Sequence, residues 1–377
     1  MKQKNMSKNP KILFISRAYP PILGGIENQN YGIATELSQL TTVKIIANKR
    51  GKKFLPFFLI QATFVALFSL WKYDVVLFGD GVPTPIGVFL KLFHPKKKFV
   101  AIIHGLDITF AHKKSLFGKI YQTLVIPAIK RMDKLFMVGN HTIDEAVKIG
   151  VDKNKCVFIP NGFDKDKVCP NFTKKDLAKF LEMDLSDKKV ILRVGRFVKH
   201  KGLDWFIDKV MPRLPENYIL LGAGGRVAKK TVGDSDTFPA CEENIKKNNL
   251  EKRVRLFPNI PQDKMNLLFN SVDLFISPNV KVPGSMEGFG INAIEGTACA
   301  KVVVASDLEG LKDAIINGHN GFMVEPENVE QYTKKIIAIL EDDNFREAFG
   351  KRAQAYSFEN FSWEAVGKRY LEELRSI

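Results

Sequence analysis

Twelve short apolar runs, separated by segments of helical period, set the limits on how this chain can fold. Six lie in the first half: Lys11–Ser16, Val43–Ala47, Asp74–Phe78, Phe99–His104, Lys134–Val138 and Cys156–Ile159. Six more follow: Val190–Gly195, Tyr218–Gly222, Val254–Phe257, Leu274–Ser277, Val302–Ser306 and Gly321–Val324. Strands that are apolar on both faces belong to parallel sheets covered by helices on each side. Two sets of six predict an α/β chain of two doubly wound, Rossmann-like domains, and 377 residues give room for both. The polar, lysine-rich stretch from Asp164 to Lys189 reads as the junction. We expect domains over 1–165 and 166–360. The segment Phe361–Leu374 has the period of an amphipathic helix, and whether the C-terminal helix, 361–377, crosses back to the first domain is left open. Helices are also expected after Gly25 and near Gly290, and Arg226–Asn249 reads as a long loop leading into a helix.

Ligands of open α/β sheets bind beyond the carboxyl ends of the strands, so the loops there carry the candidate chemistry. The first strand is followed by Pro20-Pro21-Ile22-Leu23-Gly24-Gly25-Ile26-Glu27. A Gly-Gly pair lets backbone approach a ligand, and the next helix presents N–H groups to an anion; the same residues also make ordinary turns. The first strand of the second set runs into Gly195-Arg196-Phe197-Val198-Lys199-His200-Lys201-Gly202. There Arg196, a fork, and Lys201, a point charge, are suited to a diphosphate, the plainer alternative being a basic surface turn. Neither GxxxxGK[ST] nor GxGxxG occurs in these loops, which disfavours a kinase, a P-loop ATPase or a dehydrogenase. The third segment is Glu287-Gly288-Phe289-Gly290-Ile291-Asn292-Ala293-Ile294-Glu295. Two carboxylates stand eight residues apart around a turn that opens a helix. Acidic complementarity to a helix N-terminus accounts for Glu287 but not for Glu295.

These three segments together resemble the retaining, nucleotide-sugar-dependent glycosyltransferases of family four (glycosyl transferases group 1). Pro160-Asn161-Gly162-Phe163-Asp164, His104-Gly105 and Phe257-Pro258-Asn259-Ile260 match as well, so the resemblance covers roughly Lys11 to Tyr370. It implies a GT-B fold, two Rossmann-like domains facing each other across a cleft, the first for the acceptor and the second for the nucleotide sugar. It implies catalytic roles for His104, Arg196, Lys201 and Glu287. Arg196 and Lys201 would hold the donor diphosphate, Glu287 the sugar hydroxyls and Glu295 the ribose. Gly24, Gly25, Gly195 and the Gly288, Phe289, Gly290 and Ile291 backbone would approach the donor, Asn259 and Ile260 would meet the base, and His104 would stand near the transferred sugar. No metal or other cofactor is implied beyond the donor substrate, and the six histidines, His94, His104, His112, His141, His200 and His319, show no ligand spacing. The chain departs from the family pattern at Gly296–Lys301 and at Asp307–Asp313, which blurs donor identity more than reaction class. A sugar-nucleotide epimerase and a phosphorylase share the architecture, and a nucleic-acid-binding protein is the non-enzyme rival.

Charge bears on the acceptor. The chain carries a formal +16; residues 1–165 hold 25 Lys+Arg against 10 Asp+Glu, while residues 166–377 hold 32 against 31. The surplus lies in the half expected to meet the acceptor and argues for an anionic partner. Basic clusters at Lys49–Lys53 and Lys96–Lys98 flank the apolar segment Phe54–Trp71 or lie close to it in sequence. That segment approaches the length of a membrane span. Strand-like runs on both sides, with Pro56 and Gln61 inside it, favour instead a buried helix or an interfacial one. No secretory signal is visible in MKQKNMSKNP and the short apolar run after it. Cys156, Cys169, Cys241 and Cys299 read as reduced thiols. The expectation is a cytoplasmic enzyme, peripheral on the inner face of the membrane. Its acceptor is lipid-linked or a glycan, as in cell-envelope polysaccharide, lipopolysaccharide or glycolipid synthesis, with a soluble acceptor as the alternative.

Overall fold

The computed structural model describes residues 9–22, 24–109, 116–165, 168, 171–227 and 235–377. His112 and Cys169 lie outside the described residues. The chain divides into two compact units, Met1–Gly162 with Trp363–Ile377, and Phe163–Ser362.

In the first unit, strands β1 (Ile12–Ser16), β2 (Val43–Ala47), β3 (Val75–Phe78), β4 (Lys98–Ile103), β5 (Lys134–Met137) and β6 (Cys156–Phe158) form one sheet in the order β2-β1-β3-β4-β5-β6. All pairs are parallel, with Ile12 opposite both Val43 and Val75. The interior strands are buried on both faces, as their unbroken apolar runs require. One face packs against the Gly25–Leu40 helix through Ile33, Ala34 and Leu37, and against the C-terminal Trp363–Arg375 helix through Val366, Tyr370, Leu371 and Leu374. Trp363 sits where a Cβ on Gly32 or Gly162 would overlap its ring, so these two glycines make its seat. The opposite face carries the helices Leu55–Ser69, Thr84–Phe93 and Ile126–Lys130.

Lys52–Lys72 is helical throughout, and by length and composition it is long and apolar enough to cross a membrane. Both of its neighbours, β2 and β3, pair with β1. Its ends are therefore fixed to opposite ends of one sheet, and it lies along that sheet rather than leaving it. Phe58, Ala62, Ala66 and Leu70 are buried against the sheet. Phe57, Ile60, Phe64, Phe68 and Trp71, on the other side of the same helix, are exposed. The two sequence alternatives, core and surface, are thus two faces of one helix.

The second unit repeats the plan. Strands β7 (Lys189–Val194), β8 (Tyr218–Gly224), β9 (Val254–Pro258), β10 (Leu274–Ser277), β11 (Val302–Ser306) and β12 (Phe322–Val324) form a parallel sheet in the order β12-β11-β10-β7-β8-β9. The expected linker between Asp164 and Lys189 is corrected here. Lys174–Leu181 is a helix with a Thr173/Asp176 capping box and a buried Leu177, and it belongs to the second unit. Its apolar positions, Leu177, Ala178, Phe180 and Leu181, fill barely two turns within a polar stretch, too few to stand out by period. Arg226–Asn249 contains the helix Phe238–Lys247.

Candidate functional site

In the second unit the strand order reverses between β7 and β10, the place where doubly wound sheets open a crevice beyond the strand ends. The loops after these two strands are Gly195–Gly202 and Pro278–Gly290, and they are fastened together. The Val280 N–H donates to the His200 carbonyl at 3.0 Å. His200 Nδ1 lies 2.8 Å from the Ser285 hydroxyl. Gly202 has φ 67° and sits so close to the Pro278 carbonyl that a Cβ would overlap it. This fastening brings Lys201 onto Glu287 across 86 positions of sequence, Nζ against Oε2. Asn279 Nδ2 donates to the same oxygen at 3.0 Å. Burial pushes the Glu287 carboxyl up, but Lys201, helped by His200 and Asn279, outweighs it and holds the carboxyl down at about 2.

The turn that carries Glu287 is held from behind. Its N–H donates to Glu309 Oε2 at 2.7 Å, and its carbonyl accepts from the Gly310 N–H at 3.1 Å. Gly310 packs on the Gly288 backbone with no room for a Cβ. The departure from the family pattern at Asp307–Asp313 therefore falls on a supporting loop. Gly290, at φ 92°, turns the chain into the Ile291–Ala298 helix. Asn292 Nδ2 ties the first turn of that helix to the Val194 carbonyl at the end of β7. The N–H groups at this helix start face the same strand ends as Lys201. Glu295 lies further along the helix and is buried. Among the described residues no group of three or more His, Cys, Asp and Glu side chains is arranged to hold a metal.

Arg193, not among the residues singled out in the sequence, organises the β7 loop. It is fully buried in β7 and donates to the carbonyls of Gly195, Arg196 and Lys201 at 2.6, 3.2 and 3.4 Å. Burial pulls its guanidinium down to about 10, still charged at neutral pH. A lone arginine inside the run Lys-Val-Ile-Leu-Arg-Val was the visible hint. Arg196 itself is exposed. Gly224, the last residue of β8, closes on Gly195 so tightly that a Cβ would overlap its carbonyl. Asn259, left-handed at φ 57° and exposed, donates its N–H to the Gly224 carbonyl at 2.9 Å. Asn259 and Ile260 thus stand two loops along from Arg196, at the same end of the sheet.

In the first unit the order reverses between β1 and β3. Arg17 after β1 and Asp80 after β3 meet there, Nε to Oδ1 at 2.9 Å. Asp80 is fully buried, and its charge raises the Arg17 pKa. His104, after β4, is 6% exposed and its Nε2 lies 3.1 Å from the Gly79 carbonyl. Its backbone N–H donates to Asp107 Oδ2 at 2.9 Å, and the Tyr121 hydroxyl donates to Asp107 Oδ1 at 3.1 Å. Burial, with Asp80 nearby, pushes the Asp107 carboxyl up. Arg17, Asp80, Asp107 and Tyr121 were not singled out in the sequence, because only the fold gathers them. Gly24 caps the Gly25–Leu40 helix with the Glu27 carboxylate folded against it, while Gly25 faces open space.

The fold and the motifs have relatives. The family model of glycosyl transferases group 1 matches residues 178–356, and that of glycosyltransferase family 4 matches residues 35–167. The chain is 26% identical over 268 residues to the uncharacterized glycosyltransferase MJ1178 of Methanocaldococcus jannaschii, an alignment covering 70% of this chain and 64% of the relative. It is 25% identical to N,N'-diacetylbacillosaminyl-diphospho-undecaprenol alpha-1,3-N-acetylgalactosaminyltransferase of Campylobacter jejuni, over 72% of this chain and 69% of that one. Among solved structures, Anabaena Alr3699/HepE in complex with UDP and glucose superposes with a TM-score of 0.75 at 19% identity, covering 98% of this chain and 100% of that one. Each half is matched by its own family model, and the solved relatives share the whole fold. The chain therefore belongs to the glycosyltransferases of group 1, family four, and is an enzyme of the GT-B fold.

Proposed function

We propose that this glycosyltransferase moves a hexose from a nucleotide-diphosphate sugar to a lipid-linked or glycan acceptor with retention of anomeric configuration. The observation that carries the reading is the Lys201–Glu287 pair at the strand-order reversal of the second unit. A cation and a carboxylate there are matched to the two ends of a sugar phosphate. Lys201 and Arg196 take the diphosphate, and Glu287 takes the hydroxyls of the sugar. Glu295 holds the ribose, Asn259 and Ile260 meet the base, and the Gly288–Ile291 backbone with Gly195 lines the donor. In the first unit Gly24 and Gly25 serve the donor phosphates and His104 the transferred sugar.

In the reaction the bond from sugar C1 to the diphosphate oxygen breaks and a bond from C1 to the acceptor oxygen forms on the same face. The departing phosphate oxygen takes the acceptor's proton. Negative charge grows on the leaving diphosphate, so cations and helix N–H groups already in place there lower the barrier most. The HepE complexes with UDP and glucose support a nucleotide-sugar donor, and the Campylobacter relative, named for a diphospho-undecaprenol substrate, supports a lipid-linked acceptor. We place the work at the cytoplasmic face of an anionic membrane, in cell-envelope polysaccharide, lipopolysaccharide or glycolipid synthesis.

A screen of nucleotide sugars for binding, then acceptor trials with the best donor and NMR of the product anomer, tests the reading. An inverted product overturns retention. Because Arg196 and Lys201 supply the positive charge, transfer is expected to continue unchanged in excess EDTA. Loss of turnover that added Mg²⁺ restores would overturn that assignment.

A further inference from the structure

We propose that the outer face of the helices Leu55–Ser69 and Thr84–Phe93 is a lipid-docking surface, inserted into the leaflet of an anionic bilayer with a headgroup pocket at its edge. The proposal deepens the functional reading above and rests on it for the identity of the membrane side. The two helices are neighbours on one face of the first unit's sheet, and each turns large apolar side chains outward. Phe57, Ile60, Phe64, Phe68 and Trp71 recur at three- and four-residue steps, with Phe68 74% and Trp71 67% exposed. On the second helix Phe89, Leu92 and Phe93 are exposed, Leu92 to 76%. A row of this size on neighbouring helices exceeds the scattered apolar residues of an ordinary surface. Packing within the unit does not require it, since Phe58, Ala62, Ala66 and Leu70 already cover the sheet.

Charge names the occupant. No acidic residue occurs between Thr41 and Tyr73. Lys49, Arg50, Lys52 and Lys53 stand at one end of the row and are exposed. Lys72, at the other end, lies over the Trp71 ring at 4.9 Å. Lys96 and Lys98 follow the second helix and are exposed. An apolar face bounded at both ends by uncompensated cations fits acyl chains below and anionic headgroups beside them. At the first end a pocket of about 410 Å³ is lined by Asn48, Lys49, Arg50 and Gln61 with Phe54 and Phe57. Two cations over an aromatic wall suit the phosphate of a lipid headgroup and the start of its chain. A second copy of this chain would bury the row but would bring like charges together at its rim.

Flotation of the full chain with vesicles of 70% phosphatidylcholine and 30% phosphatidylglycerol tests this. Binding is expected to be at least about tenfold stronger than to phosphatidylcholine alone and to weaken in 0.5 M salt. Phe64→Glu with Phe68→Glu, and separately Lys52→Gln with Lys53→Gln, should each lower it about tenfold or more. Brominated lipid should quench tryptophan fluorescence in the native chain and not in Trp71→Phe. Melting temperature and binding of UDP or GDP should stay at native values in all these variants, which reports on folding. Equal binding by the variants, no preference for anionic vesicles, or a dimer that dissociates in Phe64→Glu/Phe68→Glu without vesicle binding would each overturn the proposal. Vesicle binding without nucleotide binding would instead overturn the donor-site reading and leave this one standing.

Discussion

Lys201→Met is expected to lower sugar transfer by about 10²-fold or more, the usual cost of removing a preorganised group aimed at developing charge. The structure adds a second readout, because Lys201 also neutralises a largely buried carboxylate. Glu287 is held at about 2 against an ordinary 4.5. A depressed carboxyl contributes stability above its unfolded pKa and loses it as pH falls through the folded one. The native chain should therefore lose that contribution between about pH 4.5 and 2. In Lys201→Met burial is no longer opposed by the lysine, Glu287 moves up, and this acid-dependent loss disappears from the melting curves. The single variant also leaves a buried charge unpaired and should melt lower at pH 7. Lys201→Met with Glu287→Gln should regain stability but not turnover, which separates the chemical role from the structural one. Native transfer rates in Lys201→Met would remove Lys201 from the site.

The second large effect is expected at a residue that need not touch substrate. Arg193→Met leaves the carbonyls of Gly195, Arg196 and Lys201 without their buried donor. The Arg196 carbonyl keeps the Val198 N–H at 3.0 Å, so with two carbonyls losing their donor a loss of about 3–4 kcal/mol in urea unfolding is expected, at roughly 1–3 kcal/mol for each. The same change frees the loop that carries Arg196 and Lys201, so Arg193 acts as a positioning residue. Where the variant remains folded, nucleotide affinity should fall at least about tenfold, an effect that lost stability alone does not produce. Arg193→Lys keeps a charge but not the planar fork, and should fall between the two. Native affinity in a folded Arg193→Met would show that the loop holds its shape without the arginine.

Legibility differed by the kind of physics involved. The eight interior strands were readable because a strand buried on both faces must be apolar throughout; the edge strands, β2 among them with Lys44 exposed, were readable as short apolar or β-branched runs between helical segments. The Glu287–Gly290 turn was readable because a left-handed Gly290 opening a helix leaves a glycine signature. The two faces of Leu55–Ser69 were not readable. Its residues are apolar on every side, so periodicity is silent about which side is covered. Arg17 and Asp80 were missed for another reason: 63 positions separate them, and only the 2-1-3 strand order sets them side by side. Arg193 lies inside a strand that was readable, but its role rests on the three loop carbonyls its guanidinium reaches, and only the folded loop brings these to it.

The last helix carries a consequence for recombining members of this family. Trp363–Arg375 is the chain's final element, yet it completes the first unit, with Trp363 seated on Gly32 and Gly162. The Phe163 N–H donates to the Phe361 carbonyl at 3.0 Å, and Phe163 bridges to Ser362, so the two places where the chain changes unit lie side by side. A chimera that pairs one enzyme's acceptor half with another's donor half therefore needs two seams, 162/163 and 362/363. A single cut would graft a foreign helix onto the native face of Ile33, Ala34 and Leu37.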